Sequence, residues 1–357
     1  MSHDHDHTER LCEQVREAAA HGQTLEIIGS GSKRFYGRAA PVDAQPLSVA
    51  GHSGIVEYHP SELVVTARAG TRLEAVASLL ERAGQRLPFE PPSFGPESTL
   101  GGVVAAGLSG PRRPWHGAVR DAVLGVRMIN GRGEALRFGG QVMKNVAGYD
   151  VSRLMAGSLG TLGVLLEVSL KVRPRAPRSL TVALEVTAKK GLTLARRWIR
   201  QCLPVTGACH DGERMWLRLS GGDQSLDAAM RVVGGESIDD GDAFWRSVCN
   251  LNHPFFDTDL PLWRISVPVG TPAPALPGDA FIDWAGALYW LRSGESAASI
   301  RARAETLGGH ATLFRGHDGQ DEVFHPLPAP LLALHRRLKA ALDPEGIFNP
   351  GRLYQDL

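Results

Sequence analysis

Residues 96–107 read Pro-Glu-Ser-Thr-Leu-Gly-Gly-Val-Val-Ala-Ala-Gly, and residues 157–164 read Gly-Ser-Leu-Gly-Thr-Leu-Gly-Val. In the first run, Ser98 or Thr99 can cap the segment after it, and the paired Gly101 and Gly102 let a backbone lie flat against a ligand. In the second, Gly157, Gly160 and Gly163 stand three apart ahead of Val164. A third run lies upstream. Leu25–Ile28 reads as a short buried strand that runs into Gly29-Ser30-Gly31-Ser32-Lys33. Glycines after a strand let backbone N–H groups converge on an anion, and Ser30, Ser32, Lys33 and Arg34 can add hydroxyls and charge. The run is not a P-loop, because G-x-x-x-x-G-K-[ST] is absent. It is not a dinucleotide fingerprint either, because Arg34 stands three places after Gly31. Each run alone reads equally well as a tight turn. Three of them between residues 29 and 163 point to one long, polyphosphate-bearing ligand touched at several points.

Around these loops the chain reads as α+β. Leu11, Val15, Ala18 and Ala19 share one face of a helix over 9–21. Strands are expected at Ile55–Tyr58 and Leu63–Ala67. A helix is expected over Arg72–Ala83, with Thr71 as its N-cap and Gly84 as its stop. The first 90 or so residues form a small α+β unit, closed by the stiff Pro-rich stretch 88–96. Residues 95–163 hold 15 of the 41 glycines, about twice the density of the whole chain. Val123–Ile129 and Glu134–Phe138 flank Asn130-Gly131-Arg132-Gly133, a hairpin signal. Val164, Leu166, Val168, Leu170 and Val172 alternate with Glu167, Ser169, Lys171 and Arg173, which predicts a half-buried strand. Pro174 and Pro177 mark a boundary.

Beyond it the α+β pattern restarts. Strands are predicted at Leu180–Val186, Met215–Leu219, Trp263–Val269, Ala287–Leu291 and Ala311–Arg315. Helices are predicted at Leu192–Leu203, Leu226–Val233 and Ala297–Leu307. Together they suggest a sheet covered on one face. A last helix over 329–342 leads into Asp343-Pro344-Glu345-Gly346-Ile347-Phe348-Asn349-Pro350-Gly351-Arg352.

Charge and composition narrow the function. Lys and Arg number 39 against 38 Asp and Glu, so nothing draws the chain toward nucleic acid. Apolar stretches fall short of the ~20 residues of a membrane span, which argues against direct insertion. The four cysteines, Cys12, Cys202, Cys209 and Cys249, are scattered without a C-x-x-C pair. They read as reduced thiols, and any iron–sulfur centre belongs on another chain. The start, with His3, His5 and His7 alternating with Asp4 and Asp6, lacks a secretory signal. It reads as a solvated, disordered end rather than a weak metal site. These features together predict a cytoplasmic location.

Several runs together resemble the FAD-linked oxidases of the p-cresol methylhydroxylase (PCMH) and vanillyl-alcohol oxidase type in order and spacing. They are Ser98-Thr99-Leu100-Gly101-Gly102, then Gly117 and Asp121, then Gly148-Tyr149-Asp150, Leu154 and Gly157 through Val164. The Asn349-Pro350-Gly351 tail matches too. Within the family, the length, Lys144–Asp150 and Phe348–Tyr354 resemble the smaller FAD-binding subunits of bacterial glycolate oxidase, the E subunits. The resemblance implies a PCMH-type FAD-binding domain over 1–175, with subdomains of about 9–90 and 95–175. A smaller α+β cap would span 176–328, and a C-terminal helix and tail over 329–357 would return to the FAD domain.

It also implies roles. Residues 29–33 (Gly29, Ser30, Gly31, Ser32, Lys33) would wrap the pyrophosphate. Ser98, Thr99, Gly101, Gly102 and Ala105 would lie along the pyrophosphate and flavin. Gly157, Gly160, Gly163 and Val164 would line the adenosine or flavin side, and Asp121 would fix a turn. The first loop has no histidine for covalent attachment, so FAD should be non-covalent. Leu159 stands where many relatives have an acidic residue. Ala106-Gly107-Leu108-Ser109-Gly110 stands where they commonly show Asn-Ala-Gly-Gly. With the glycines against the ligand, Gly101→Val plus Gly102→Val should abolish flavin binding.

The activity implied is oxidation of a small 2-hydroxy acid, glycolate to glyoxylate. Electrons would pass through flavin to a larger flavin subunit and an iron–sulfur subunit, and any contact with the inner membrane would be made through them. Two alternatives stand beside it: a stand-alone FAD-dependent D-lactate or other 2-hydroxy-acid dehydrogenase, and a non-catalytic assembly subunit that keeps the fold. Such an oxidation needs a cation for the carboxylate, a base for the hydroxyl proton, and the flavin as hydride acceptor. Arg218, Arg264, Arg292 and Arg315 lie in or just after cap strands. Arg264 and Arg292 are the candidates for the first role, and His325 for the base. His317, His325 and the acidic residues between them do not show metal-ligand spacing, so no metal is expected.

Overall fold

The computed structural model describes residues 5–140, 149–319 and 321–357. Residues 1–4, and 144–148 of the Lys144–Asp150 motif, lie outside them. The fold is α+β, and the chain divides into two compact units. One runs to Leu108 and adds Gly117–Pro174 and Gly319–Leu357; the other joins Ser109–His116 to Arg175–Asp318.

The first unit is built on a five-stranded antiparallel sheet. Its order is Ile55–His59, Val64–Arg68, Val164–Lys171, Val123–Ile129, Ala135–Gly139. The hairpin forms as read. Asn130 Oδ1 accepts from the N–H groups of Arg132 and Glu134, and Gly133 takes a positive φ of 72°. Helices Leu73–Arg82 and Leu100–Ala106 cover one side through Val76, Leu80, Val103 and Val104, against Val65, Val126, Val168 and Leu170. A second core gathers Leu11 and Val15 of helix Thr8–His21, Leu25 and Leu47 of the parallel pair Leu25–Ile28/Gln45–Ser48, Val164, Leu166 and Phe348.

Three local expectations are corrected. Val164–Lys171 is not half-buried: all but Lys171 are buried. A register shift opposite Arg127/Met128 moves the strand's residues between its two sides. Leu166 therefore joins one core, while Leu165 and Val168 join the other. Glu167 tolerates burial because it pairs with Arg68, Arg127 and Arg137, at 3.3, 3.1 and 3.0 Å. Thr71 does not cap helix Leu73–Arg82; its hydroxyl accepts from Gly54 N–H and donates to Gly54 carbonyl. From His5 onward the start is not loose. His5 pairs with Ser53, and His7 N–H donates to Nδ1 of buried His52. Asp6 sits 3.0 Å from Arg68. Burial opposes its ionisation, but bonds from Thr8 and the Arg68 charge outweigh this and hold it at about 2.

The second unit carries an eight-stranded antiparallel sheet. Its order is Glu236–Ile238, Arg178–Leu184, Met215–Gly221, Val205–His210, Asp279–Asp283, Leu288–Arg292, Leu262–Ser266, His310–Arg315. Helices Ala188–Arg200, Asp223–Val233 and Ala297–Thr306 bury Trp198, Leu226 and Ile300 against it. A fourth helix, Gly241–Cys249, is an addition to the sequence reading. Its Trp245 donates to Thr181, which alternates in the strand with core Val182. Strand Val205–His210 also escaped that reading, because all six of its residues are buried and no alternation marks it. Among the described residues, no helix is long and apolar enough to cross a membrane.

The C-terminal segment is fixed in the first unit by one buried cation. In helix Ala329–Leu342 only Lys339 is buried. Its ammonium donates to Asp343, Thr161 carbonyl and Phe348 carbonyl at 2.7, 2.8 and 2.6 Å. Asp343 in turn accepts from the N–H groups of Ile347 and Phe348. All three ammonium donors are thereby used. Removing one partner of such a pair strands the other charge. Lys339→Met is expected to lower unfolding free energy by about 3–5 kcal/mol, read by urea denaturation; a loss under about 1 kcal/mol would show that the pair does not hold the tail.

Candidate functional site

A cavity of about 810 Å³, including the part open to solvent, lies within the first unit. Three of its walls are the glycine loops. Strand Leu25–Ile28 ends at Gly29, whose position leaves no room for a side chain: a Cβ there would lie 2.3 Å from Thr99 Oγ1. Thr99 also accepts from Gly102 N–H as N-cap of helix Leu100–Ala106. One threonine thus backs the first loop and starts the second. Gly31 turns the loop with φ at 76°. Lys33 folds back, and its ammonium reaches Ser98 Oγ at 2.7 Å, Ser93 carbonyl at 3.1 Å and Ser32 Oγ at 3.3 Å. Gly160 closes the third wall, where a Cβ would lie 2.7 Å from Asn349 Nδ2.

The structure sorts the residues read from the sequence. Gly29, Ser30, Gly31, Ser32, Lys33, Thr99, Gly101, Gly102, Ala105, Gly160 and Gly163 all line the cavity. Three do not. Ser98 is fully buried and holds Lys33 from behind. Gly157 packs against Gly107, where a Cβ on Gly107 would come within 2.8 Å of Gly157 Cα. Val164 is a core residue with no exposure. Asp121 fixes a turn as expected, accepting from Ala118 N–H at 2.8 Å beside Gly117. Leu159 lines the cavity with φ at 49°.

The sequence reading missed Asn349 and Arg352 as lining residues. Asn349 Oδ1 accepts from Ile27 N–H at 2.8 Å, and its amide donates to Leu159 carbonyl at 2.6 Å. The signal was present in Asn-Pro-Gly-Arg, but nothing in a linear sequence says that residue 349 meets residues 27 and 159.

The charge of the lining suits an anion. Lys33, Arg34 and Arg352 stand against one carboxylate, Glu26, which Arg34 grips at 2.9 and 2.5 Å. Burial holds the Lys33 ammonium down to about 8 and lowers Arg352 as well. Both cations would gain from a buried negative partner. Ile27, Val49, Ala69 and Leu165 supply apolar wall for rings. A second recess, lined by Gly51, Gly54, Gly70 and Arg72, shares Ser30 and Thr99 with the cavity, as an elongated ligand requires. Backbone without side chains, hydroxyls, cations and apolar wall fit a dinucleotide such as FAD, and no lining residue is a histidine that could be joined to it.

The three catalytic candidates are not assembled at this cavity's lining. Arg264 and Arg292 belong to the second unit. Arg264 lies over Trp284 and Trp290, at 5.1 and 6.0 Å from their centroids. Arg292 pairs with Asp279 at 2.8 Å and covers Phe255. His325 belongs to the first unit, where its carbonyl accepts from Tyr354 hydroxyl. Among the described residues no group of His, Cys, Asp and Glu is placed to hold a metal ion.

Residues 5–139 match the family described as FAD binding domain, and residues 315–353 the C-terminal domain of FAD linked oxidases. The chain is 50% identical over 352 residues to glycolate oxidase subunit GlcE of Escherichia coli (strain K12), covering 99% of each. It is 32% identical over 176 residues to glycolate oxidase subunit GlcD of Bacillus subtilis (strain 168), covering 49% of this chain and 37% of that one. Among solved structures, alkyldihydroxyacetonephosphate synthase shares the fold, with a TM-score of 0.68 over 97% of this chain and 74% of that one, at 14% identity.

The two helix glycines separate in their duties. A Cβ on Gly101 would press into Ala69 at 2.7 Å, against the sheet, whereas one on Gly102 would meet only Thr99 Oγ1, at 3.1 Å. Gly101→Val therefore tests packing as well as the ligand, contrary to the sequence reading, which placed both Cβ atoms in the ligand's volume. Gly101→Ala is expected to destabilise the flavin-free protein by about 1–3 kcal/mol, and Gly102→Ala by less than about 1 kcal/mol. Chemical denaturation of the two flavin-free variants checks this; equal losses would contradict the assignment.

Proposed function

Because the chain belongs to the FAD-linked oxidases, in the family of glycolate oxidase subunit GlcE, we propose that it is the FAD-binding subunit of a glycolate (2-hydroxy-acid) oxidase or dehydrogenase complex. The observation that carries the reading is the cavity itself, in which three glycine loops and the cations Lys33 and Arg352 converge. FAD supplies a hydride acceptor that no amino-acid side chain can provide. The chain's own residues bind and orient it. The loop after Ile28 and the N-terminal turn of helix Leu100–Ala106 would hold the pyrophosphate, with Lys33 positioned for it by Ser98 and Ser93. Attachment is non-covalent.

The FAD-binding domain read over 1–175 then corresponds to the first unit, with the returning tail joining it from residue 319 rather than 329, and the substrate cap read over 176–328 corresponds to the second unit, which ends at Asp318 and adds Ser109–His116. The substrate carboxylate needs a forked cation, for which Arg264 and Arg292 are the candidates, and His325 is the candidate base. Electrons leave through a larger flavin subunit and an iron–sulfur subunit. The four cysteines of this chain support that division, since none forms a disulfide and two, Cys12 and Cys209, are buried in cores. The complex works in the cytoplasm, with any membrane contact made through partners. A second reading, that this chain holds a flavin reduced only within the complex, is favoured by the cavity lining, whose one carboxylate is already engaged by Arg34.

The visible spectrum of the purified chain, before and after acid precipitation and then with anaerobic glycolate, tests both. Flavin bands that move to the supernatant and bleach with glycolate support the first reading. Bands that do not bleach support the second, and a colourless chain overturns the cofactor assignment. Lys33 adds a pH dependence. Its ordinary value is 10.5 and burial lowers it to about 8, so in the flavin-free protein it is charged below that pH and neutral above it. Pyrophosphate favours the charged form. FAD affinity should therefore fall as pH rises above about 8, with uptake of a proton, and Lys33→Met should remove that slope. Titration calorimetry in buffers of different ionisation enthalpy measures the proton count.

A further inference from the structure

Arg352 is set among backbone carbonyls rather than among carboxylates. Its guanidinium donates to the carbonyl oxygens of Arg34 at 2.8 Å, Tyr36 at 2.9 Å and Lys33 at 3.4 Å, and also to that of Arg38. Its own carbonyl accepts from Arg38 N–H at 3.0 Å. Four acceptors from six consecutive residues thus point at one side chain that arrives from more than 300 positions away. A loop bent this way brings its carbonyl dipoles together, an arrangement that repels itself unless a cation fills the centre. Gly37, with φ at 98°, makes the approach possible, because a Cβ there would meet Arg352 carbonyl at 3.1 Å and Leu159 at 3.0 Å. The tail is held in turn: Asn349 bonds Ile27 and Leu159, Arg336 pairs with Asp356 at 2.8 Å, and Gly351 N–H donates to Leu357 carbonyl.

We infer that Arg352 is a positioning residue that latches the C-terminal tail onto the loop 29–38, so that tail docking and cofactor binding are thermodynamically linked. The inference rests on the FAD reading above. Besides lining the cavity, Arg352 acts through the loop: it fixes the carbonyls of residues 33–38 and thereby the placement of Lys33 and the backbone before it. Linkage is reciprocal, so a cofactor that needs the closed loop must also hold the tail down. Lysine cannot substitute fully, since its three donors cannot satisfy four acceptors spread around a planar fork.

The test uses the full chain, stripped of flavin, as wild type, Arg352→Lys and Arg352→Met. Three quantities are read: FAD affinity by flavin fluorescence quenching, thermal unfolding without FAD, and the rate at which carboxypeptidase trims the tail with and without FAD. The expected result is an FAD affinity about 10- to 100-fold weaker in Arg352→Met, with Arg352→Lys between. FAD should slow trimming in wild type and fail to do so in Arg352→Met. If Arg352→Met does not fold, Gly37→Ala, which crowds the same contact from the loop side, must show the same loss of affinity and of protection. Variants that bind FAD as tightly as wild type, or equal trimming of wild type with and without FAD, overturn the latch while leaving the cofactor reading intact. A wild-type chain that binds no FAD overturns both.

Discussion

A single buried ammonium organises the C-terminal end of the first unit. Lys339 joins Asp343, Thr161 carbonyl and Phe348 carbonyl, and Asp343 fixes the turn through Ile347 and Phe348. A buried charge is costly unless every donor finds an acceptor at good distance. Here the requirement is met, and meeting it dictates the path of the chain. Phe348 is directed into the core beside Leu25, Asn349 meets Ile27, and Arg352 reaches the loop beyond. The helix that carries Lys339 is otherwise largely uncovered.

The same logic of charge held by geometry recurs on the sheet. Glu167 sits in a strand that is buried on both sides and carries three arginines, one of which also holds Asp6 and with it the segment from His5. Both ends of the described chain are thus pinned by ionic contacts, while Leu, Val and Phe fill the space between. The cavity is a product of this frame. Three of its walls are glycine-rich backbone, and backbone can be brought so close only because side chains elsewhere fix the strands and turns that carry it.

Much of this was legible in the sequence because it is local. Glycine runs after strands, the Asn-Gly-Arg-Gly turn and the apolar face of helix Thr8–His21 report their own surroundings, and eleven of the residues read as cofactor-binding line the cavity. What stayed hidden depends on partners far away in sequence. Alternation over Val164–Lys171 reads as half-buried, because the three arginines that let Glu167 enter the interior lie 30, 40 and 99 positions away. Val164 and Gly157 carry the family's pattern, yet they serve packing; composition cannot separate a glycine against a ligand from a glycine against another glycine. The roles of Asn349 and Arg352 depend on contacts across more than 300 residues. The chemistry of substrate oxidation was the least legible, since arginine and histidine are common and only their assembly in space gives them a role.

The long reach of Arg352 has a consequence for how the protein is made. The strand and loop of residues 25–38 emerge from the ribosome early, and domains fold from the N-terminus as synthesis proceeds. Four carbonyls of that loop nevertheless wait for a guanidinium that is translated more than 300 residues later. A nascent chain can form its sheets and still lack the closed loop. If the latch inferred above governs the pocket, cofactor loading becomes a late event of biogenesis, open only to chains extended past residue 352.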